Sequence, residues 1–173
     1  MNNTHRAQPG TYNPYFQGYI DLVPEGELLD LLYANTKAAI DFFESIPQEK
    51  HNYRYAADKW NIKELLIHLI DAERVFSYRA LVAARGDNKT PLHPMDDHLY
   101  VQNAIVAGRI YDDLVAEYRA VRNATEKLYE TLSEKQLDFK ADAVSYPITA
   151  RALGYIIIGH LMHHMVVIGE RYL

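Results

Sequence analysis

Asn61-Ile62-Lys63-Glu64-Leu65-Leu66-Ile67-His68-Leu69-Ile70-Asp71-Ala72-Glu73-Arg74-Val75-Phe76-Ser77-Tyr78-Arg79 is the stretch on which the fold turns. Leu65, His68, Leu69, Ala72, Val75, Phe76 and Arg79 recur at i, i+3 and i+4, the period of an amphipathic helix. Asn61 has N-cap chemistry, and Glu64 three residues later completes a capping box. The pattern lasts to Arg85-Gly86, where glycine suits a helix stop. His68 stands in an otherwise apolar row, midway along this helix.

The same period appears on either side. A first helix is expected over about 25–46, with Leu28, Leu31, Leu32, Ala39 and Phe42 or Phe43 on one face and Pro47 as its stop. Asp96 can cap a third helix reaching to about Ser133, with Gly108 marking a bend. Residues 137–146 read as irregular, and Thr149 opens a last helix that runs almost to Leu173. Few strand signals and no internal repeat make this an all-α, four-helix bundle, one domain over 1–173. The loop from Arg85 to Asp97 is long, which leaves the up/down order open. Residues 1–24 hold Pro9, Gly10, Pro14, Gly18 and Pro24 and read as an irregular N-terminal arm. Tyr12, Tyr15, Phe16 and Tyr19 favour its docking on the bundle.

Cysteine is absent, so any metal must be held by nitrogen and oxygen ligands. That composition fits a reducing, cytoplasmic setting. A net charge of −5 without a Lys/Arg cluster argues against a nucleic-acid groove. No run approaches the roughly 18 uninterrupted apolar residues of a membrane span, and the N-terminus lacks a secretory apolar core.

The last helix carries Gly159-His160-Leu161-Met162-His163-His164. Residues four apart lie about 40° apart around a helix, so His160 and His164 stack on the stripe of Leu153, Ile156, Ile157, Val167 and Ile168. Imidazoles on an apolar stripe are costly to bury unless something satisfies their nitrogens. If the second and last helices touch, His68 joins them. Two readings follow: three ligands to one divalent transition metal, or three core histidines hydrogen-bonded to protein groups. His163 falls on a different side of the helix. Asp71, three residues past His68, is a candidate orienting carboxylate, and His163 or Asp71 a candidate base or proton shuttle. Tyr78, Tyr100 and Tyr155 are pocket-lining candidates or simple packing residues. A metalloprotease pair would need Glu at 161, where Leu161 stands, and a di-iron bundle would need Glu three residues before each inward histidine. Neither pattern is present, nor is a phosphate loop or a serine elbow.

The run Lys59–Arg79, the segment Gly159–His164 with Glu170-Arg171-Tyr172-Leu173, the opening Tyr19–Pro24 and the loop around Pro91 resemble the DinB-like superfamily across nearly the whole chain. That resemblance implies a four-helix bundle, commonly a homodimer, with His68, His160 and His164 holding nickel, zinc or a similar ion. It also implies relatives such as bacillithiol S-transferases, hence a small-molecule substrate and a low-molecular-weight thiol as a potential cofactor. The expected function is metal-dependent S-transfer or hydrolysis. The alternative is a non-catalytic, metal-stabilised dimeric interaction protein.

Overall fold

The computed structural model describes residues 6–143 and 146–173. Four long helices form the bundle: α2 (Leu28–Glu44), α3 (Ile62–Ala84), α5 (Tyr111–Tyr129) and α7 (Ala150–Arg171). Three short ones, α1 (Gln17–Leu22), α4 (Asp97–Asn103) and α6 (Glu134–Leu137), sit in the connections. Both α2 and α3 pack on α5 and on α7, so consecutive helices α2 and α3 face each other across the bundle diagonal. The order left open by the sequence is therefore α2–α5–α3–α7 around the barrel of helices.

Local chemistry sets most boundaries. Asn61 and Glu64 form the expected capping box, with Asn61 Oδ1 accepting from Glu64 N and Glu64 Oε2 accepting from Asn61 N. After α3, Gly86 adopts a φ of 70°, and the Gly86 and Asp87 amides donate back to Ala83 and Val82. This is a Schellman ending that glycine enters without steric cost. Asp96 caps α4 and Thr149 caps α7, each side chain accepting from the amide three residues on.

The expected third helix is not continuous. Asp96 begins a helix, but it ends at Asn103 and a new one starts at Tyr111. The break falls at Ile105, a β-branched residue held at a φ of 51°, rather than at Gly108, which lies in a 3-10 turn. A tertiary contact accounts for it. The buried Lys63 ammonium donates to the carbonyls of Ala107 and Arg109 at 3.3 and 3.0 Å, taking acceptors a continuous helix would have used internally. Part of 137–146 is likewise regular. Lys140–Ala143 pairs antiparallel with Tyr146–Thr149, and residues 144–145 lie outside the described residues.

The arm docks as its aromatics imply and also contains helix α1; residues 1–5 lie outside the described residues. Tyr12 and Ile20 are buried, Arg6 donates to the carbonyls of Ile20 and Val23, and Thr149 N donates to Thr11 O. The closest approach is at Gly159, where an added Cβ would meet the Tyr19 carbonyl oxygen at 2.0 Å. Only glycine lets α1 lie this close to α7. By length and composition α7 could cross a membrane, but most of that stretch is buried inside the bundle, as a core helix should be.

Three of the four long helices are also tied by charge. Arg122 of α5 is fully buried and pairs with Glu73 of α3 at 2.7 Å, while donating to Asn35 of α2 and to the Tyr118 hydroxyl, both at 2.8 Å. Removing one member of such a pair strands the other charge in the core. Arg122→Met is expected to cost about 3–5 kcal/mol of unfolding free energy. Arg122→Met/Glu73→Gln should recover much of that loss, read from urea denaturation of the two variants.

Candidate metal centre

α3 and α7 pack along their lengths, and where they meet the three sequence-singled histidines converge. Nε2 of His160 lies 3.1 Å from Nε2 of His68 and 3.1 Å from Nε2 of His164. His68 and His160 are buried and His164 is half-buried. Aromatic rings hold them in place. Trp60 packs on His68 with centroids 5.0 Å apart, and Tyr19 and Phe76 meet the edge or face of His160 at 5.3 and 5.9 Å.

Hydrogen bonding alone does not satisfy this cluster. A neutral imidazole Nε2 carries either one hydrogen or one lone pair, so His160 Nε2 can make only one good bond to its two neighbours. The outer nitrogens of His68 and His164, both Nδ1, are buried without a hydrogen-bond partner. A metal resolves the inner contact. Three nitrogens bound to one ion at about 2.0–2.1 Å stand roughly 3.0–3.4 Å apart, the range into which the observed 3.1 Å falls. The donor set of three neutral imidazoles also suits a divalent transition ion. The histidine cluster therefore fits such an ion, and His68, His160 and His164 are the side chains that would hold it.

The carboxylate nearest the His68 Nδ1 is on α4 rather than on α3. Asp97 Oδ1 stands 3.9 Å away, while Asp71 is engaged by Arg74 at 3.2 Å, and Arg74 in turn binds Glu117. His163 stays outside the three-nitrogen cluster and lies against the Tyr19 and His164 rings. A cavity of about 360 Å³ opens beside the histidines, reached from His68, His160, Asp97, Phe76, Arg79 and the arm's Tyr19. The tyrosines lining it are Tyr15, Tyr19 and Tyr146. Tyr155 is buried in the core, and Tyr78 and Tyr100 are exposed outside this lining. Burial raises the Tyr19 hydroxyl to about 12, so it stays protonated at neutral pH.

A helical bundle with a three-histidine cluster beside a small cavity is thus the class of protein at hand. The DinB superfamily profile matches residues 31–168, and the chain belongs to that family. Among solved structures, YfiT from Bacillus subtilis, described as a probable metal-dependent hydrolase with an unusual four-helix bundle topology, is similar at a TM-score of 0.69 and 16% identity. The match covers 95% of this chain and 90% of YfiT. A mycothiol-dependent maleylpyruvate isomerase is similar at a TM-score of 0.68 and 13% identity, over 86% of this chain and 61% of the isomerase. The DinB-like protein YjoA from Bacillus subtilis is similar at 0.57 and 19% identity, over 84% of this chain and 89% of YjoA. At these identities the likeness is one of fold. No curated protein matches the sequence.

Burial, the largest cause in each case, lowers the proton affinity of His68, His160 and His164; His164 is brought down to about 3. A group whose folded pKa lies below its unfolded value stabilises the fold above the unfolded pKa and stops doing so as pH falls. The metal-free protein should therefore lose stability between about pH 6.5 and pH 5 as the unfolded chain takes up imidazole protons. Urea midpoints measured in chelator across that range should fall less steeply for His164→Gln than for the wild type.

Proposed function

We propose that this protein is a metal-dependent enzyme acting on a small molecule. His68, His160 and His164 would hold one divalent transition ion, nickel or zinc by the family resemblance, since three imidazoles alone suit copper and iron as well. The observation that carries this reading is the meeting of three imidazoles, with His160 Nε2 at 3.1 Å from the Nε2 of both His68 and His164, beside a cavity that His68 and His160 line. Three protein ligands with room for a further one is the catalytic rather than the structural pattern. When bound, such an ion acts as a Lewis acid and lowers the pKa of a coordinated water or thiol, which supports hydrolysis or S-transfer.

The chain's own groups supply the rest. Asp97, whose Oδ1 stands 3.9 Å from the His68 Nδ1, is the carboxylate placed to steer that ring toward an Nε2 lone pair facing inward, which would make it a better ligand. Phe16, Phe76 and Tyr19 wall the cavity with aromatic surface. The protonated Tyr19 hydroxyl offers a hydrogen-bond donor in the same wall. The size of the cavity suits a substrate of drug-like dimensions or smaller.

Elemental analysis after loading with zinc or nickel tests the reading, together with assays of ester hydrolysis and of thiol addition to an electrophile. One ion per chain is expected, with both ion and activity lost in His160→Ala/His164→Ala. Asp97→Asn should keep its fold while its metal affinity falls about 10- to 100-fold. An ion bound without turnover in any of these assays, and a melting temperature that drops sharply on chelation, would instead mark a structural metal.

A further inference from the structure

One face of α3 forms the floor of the cavity. His68, Ala72, Phe76 and Arg79 all line it, and all lie on the same side of that helix. Eleven residues separate His68 from Arg79, about 16 Å along the axis at the helical rise. Long helical side chains lean toward the N-terminus, so the Arg79 guanidinium reaches back toward His68. The Phe76 ring lies between the two ends, with its centroid 6.0 Å from Arg79 Cζ and 5.9 Å from the His160 ring. Ala72, the smallest side chain of the four, leaves the middle of the floor open.

Arg79 is half-buried, and among the described residues no carboxylate lies within ion-pair distance of it. Its Nη2 donates to the His93 carbonyl, which orients the guanidinium and leaves further N–H groups unused. Five other arginines of the bundle are committed to carboxylates: Arg74 and Arg109 to Glu117, Arg119 to Glu44, Arg122 to Glu73 and Arg151 to Glu134 and Asp138. A permanently charged, partly desolvated fork facing this cavity, with Asp97 as a counter-charge beyond ion-pair distance, keeps N–H groups available to an oxyanion. Asp97 lines the same cavity and sets the charge of the guest. Its negative charge disfavours a dianion such as a phosphate monoester and tolerates a single negative charge.

We infer that the substrate is an amphiphilic monocarboxylate: its carboxylate pairs with Arg79, its apolar body lies over Ala72 and Phe76, and its reactive group reaches the three histidines. This rests on the proposed function for the reactive end only. The anion end depends on Arg79 and the cavity alone.

The probe is 4-phenylbutyrate, with the neutral 4-phenylbutyramide as its control, titrated calorimetrically into the full chain in the metal-free and zinc-loaded states. The metal-free wild type should bind the carboxylate, and the amide should bind at least about tenfold more weakly, the size expected for one charge-assisted pair. Arg79→Gln should weaken the carboxylate by a similar factor and leave the amide unchanged. Arg79→Lys should restore part of the loss, and Asp97→Asn should tighten the carboxylate by removing a like charge. Absence of carboxylate binding, equal binding of acid and amide, or an Arg79→Gln variant that binds as the wild type does would each overturn the inference. The two readings fail separately. A chain that takes up no zinc yet binds the carboxylate through Arg79 contradicts the metal-dependent reading alone, whereas a zinc-binding chain indifferent to Arg79 contradicts the substrate class alone.

Discussion

Three imidazole nitrogens meeting inside an apolar bundle is the constraint on which the rest of this structure depends. α3 and α7 could have packed with leucine at 68, 160 and 164 and gained apolar burial there. Instead the interface carries three heterocycles whose inner nitrogens compete for too few hydrogens and whose outer nitrogens, at His68 and His164, find no protein partner. Such an arrangement is destabilising without a ligand and favourable with one, because an ion replaces the missing hydrogen bonds by three coordinate bonds. Much of the surrounding architecture serves to keep those rings from turning away. Trp60 covers His68, while Phe76 and Tyr19 bracket His160.

The arm belongs to the same arrangement. Gly159, one residue before His160, lets the Tyr19 backbone lie against α7, and this close approach puts the Tyr19 ring over His160 and His163. The arm thereby becomes one wall of the cavity. On the opposite side, the interruption between α4 and α5 has a similar consequence. Lys63 takes the carbonyls of Ala107 and Arg109, Ile105 accepts a left-handed backbone, and α4 is freed to bring Asp97 within 3.9 Å of His68. The buried Arg122–Glu73 pair meanwhile fixes α5 against α3 and, through Asn35, against α2, so the frame behind the histidines has little freedom to relax.

The bundle and the histidine cluster were legible in the sequence because both rest on helical period and on polar residues breaking an apolar stripe. His68, His160 and His164 violate the local pattern, and that violation is visible without coordinates. The capping box and glycine stop of α3 and the Thr149 cap of α7 were equally local. Other features were not. A long-range ammonium, Lys63, breaks the third helix, and no local signal marks Ile105 as the break. Asp97 sits in a segment placed by that break, which is why the carboxylate sought near His68 was expected at Asp71, where helical spacing alone would put it. Arg79 fell on the helix stripe, yet only the folded chain shows that, among the described residues, no carboxylate stands within ion-pair distance of it and that Asp97 is its counter-charge across the cavity. The tyrosines of the cavity come from the arm and from the strand before α7, elements whose position is set by packing rather than by period.

The most direct test of the central claim is X-ray absorption at the metal edge of protein loaded with one equivalent of zinc. The account predicts three nitrogen scatterers at about 2.0–2.1 Å with the outer-shell signature of imidazole, plus at least one oxygen from solvent. Loss of the imidazole signature is expected in His160→Ala/His164→Ala. A spectrum of oxygen ligands alone, or one unchanged by that substitution, would place the ion elsewhere and leave the three histidines as a polar cluster of the core.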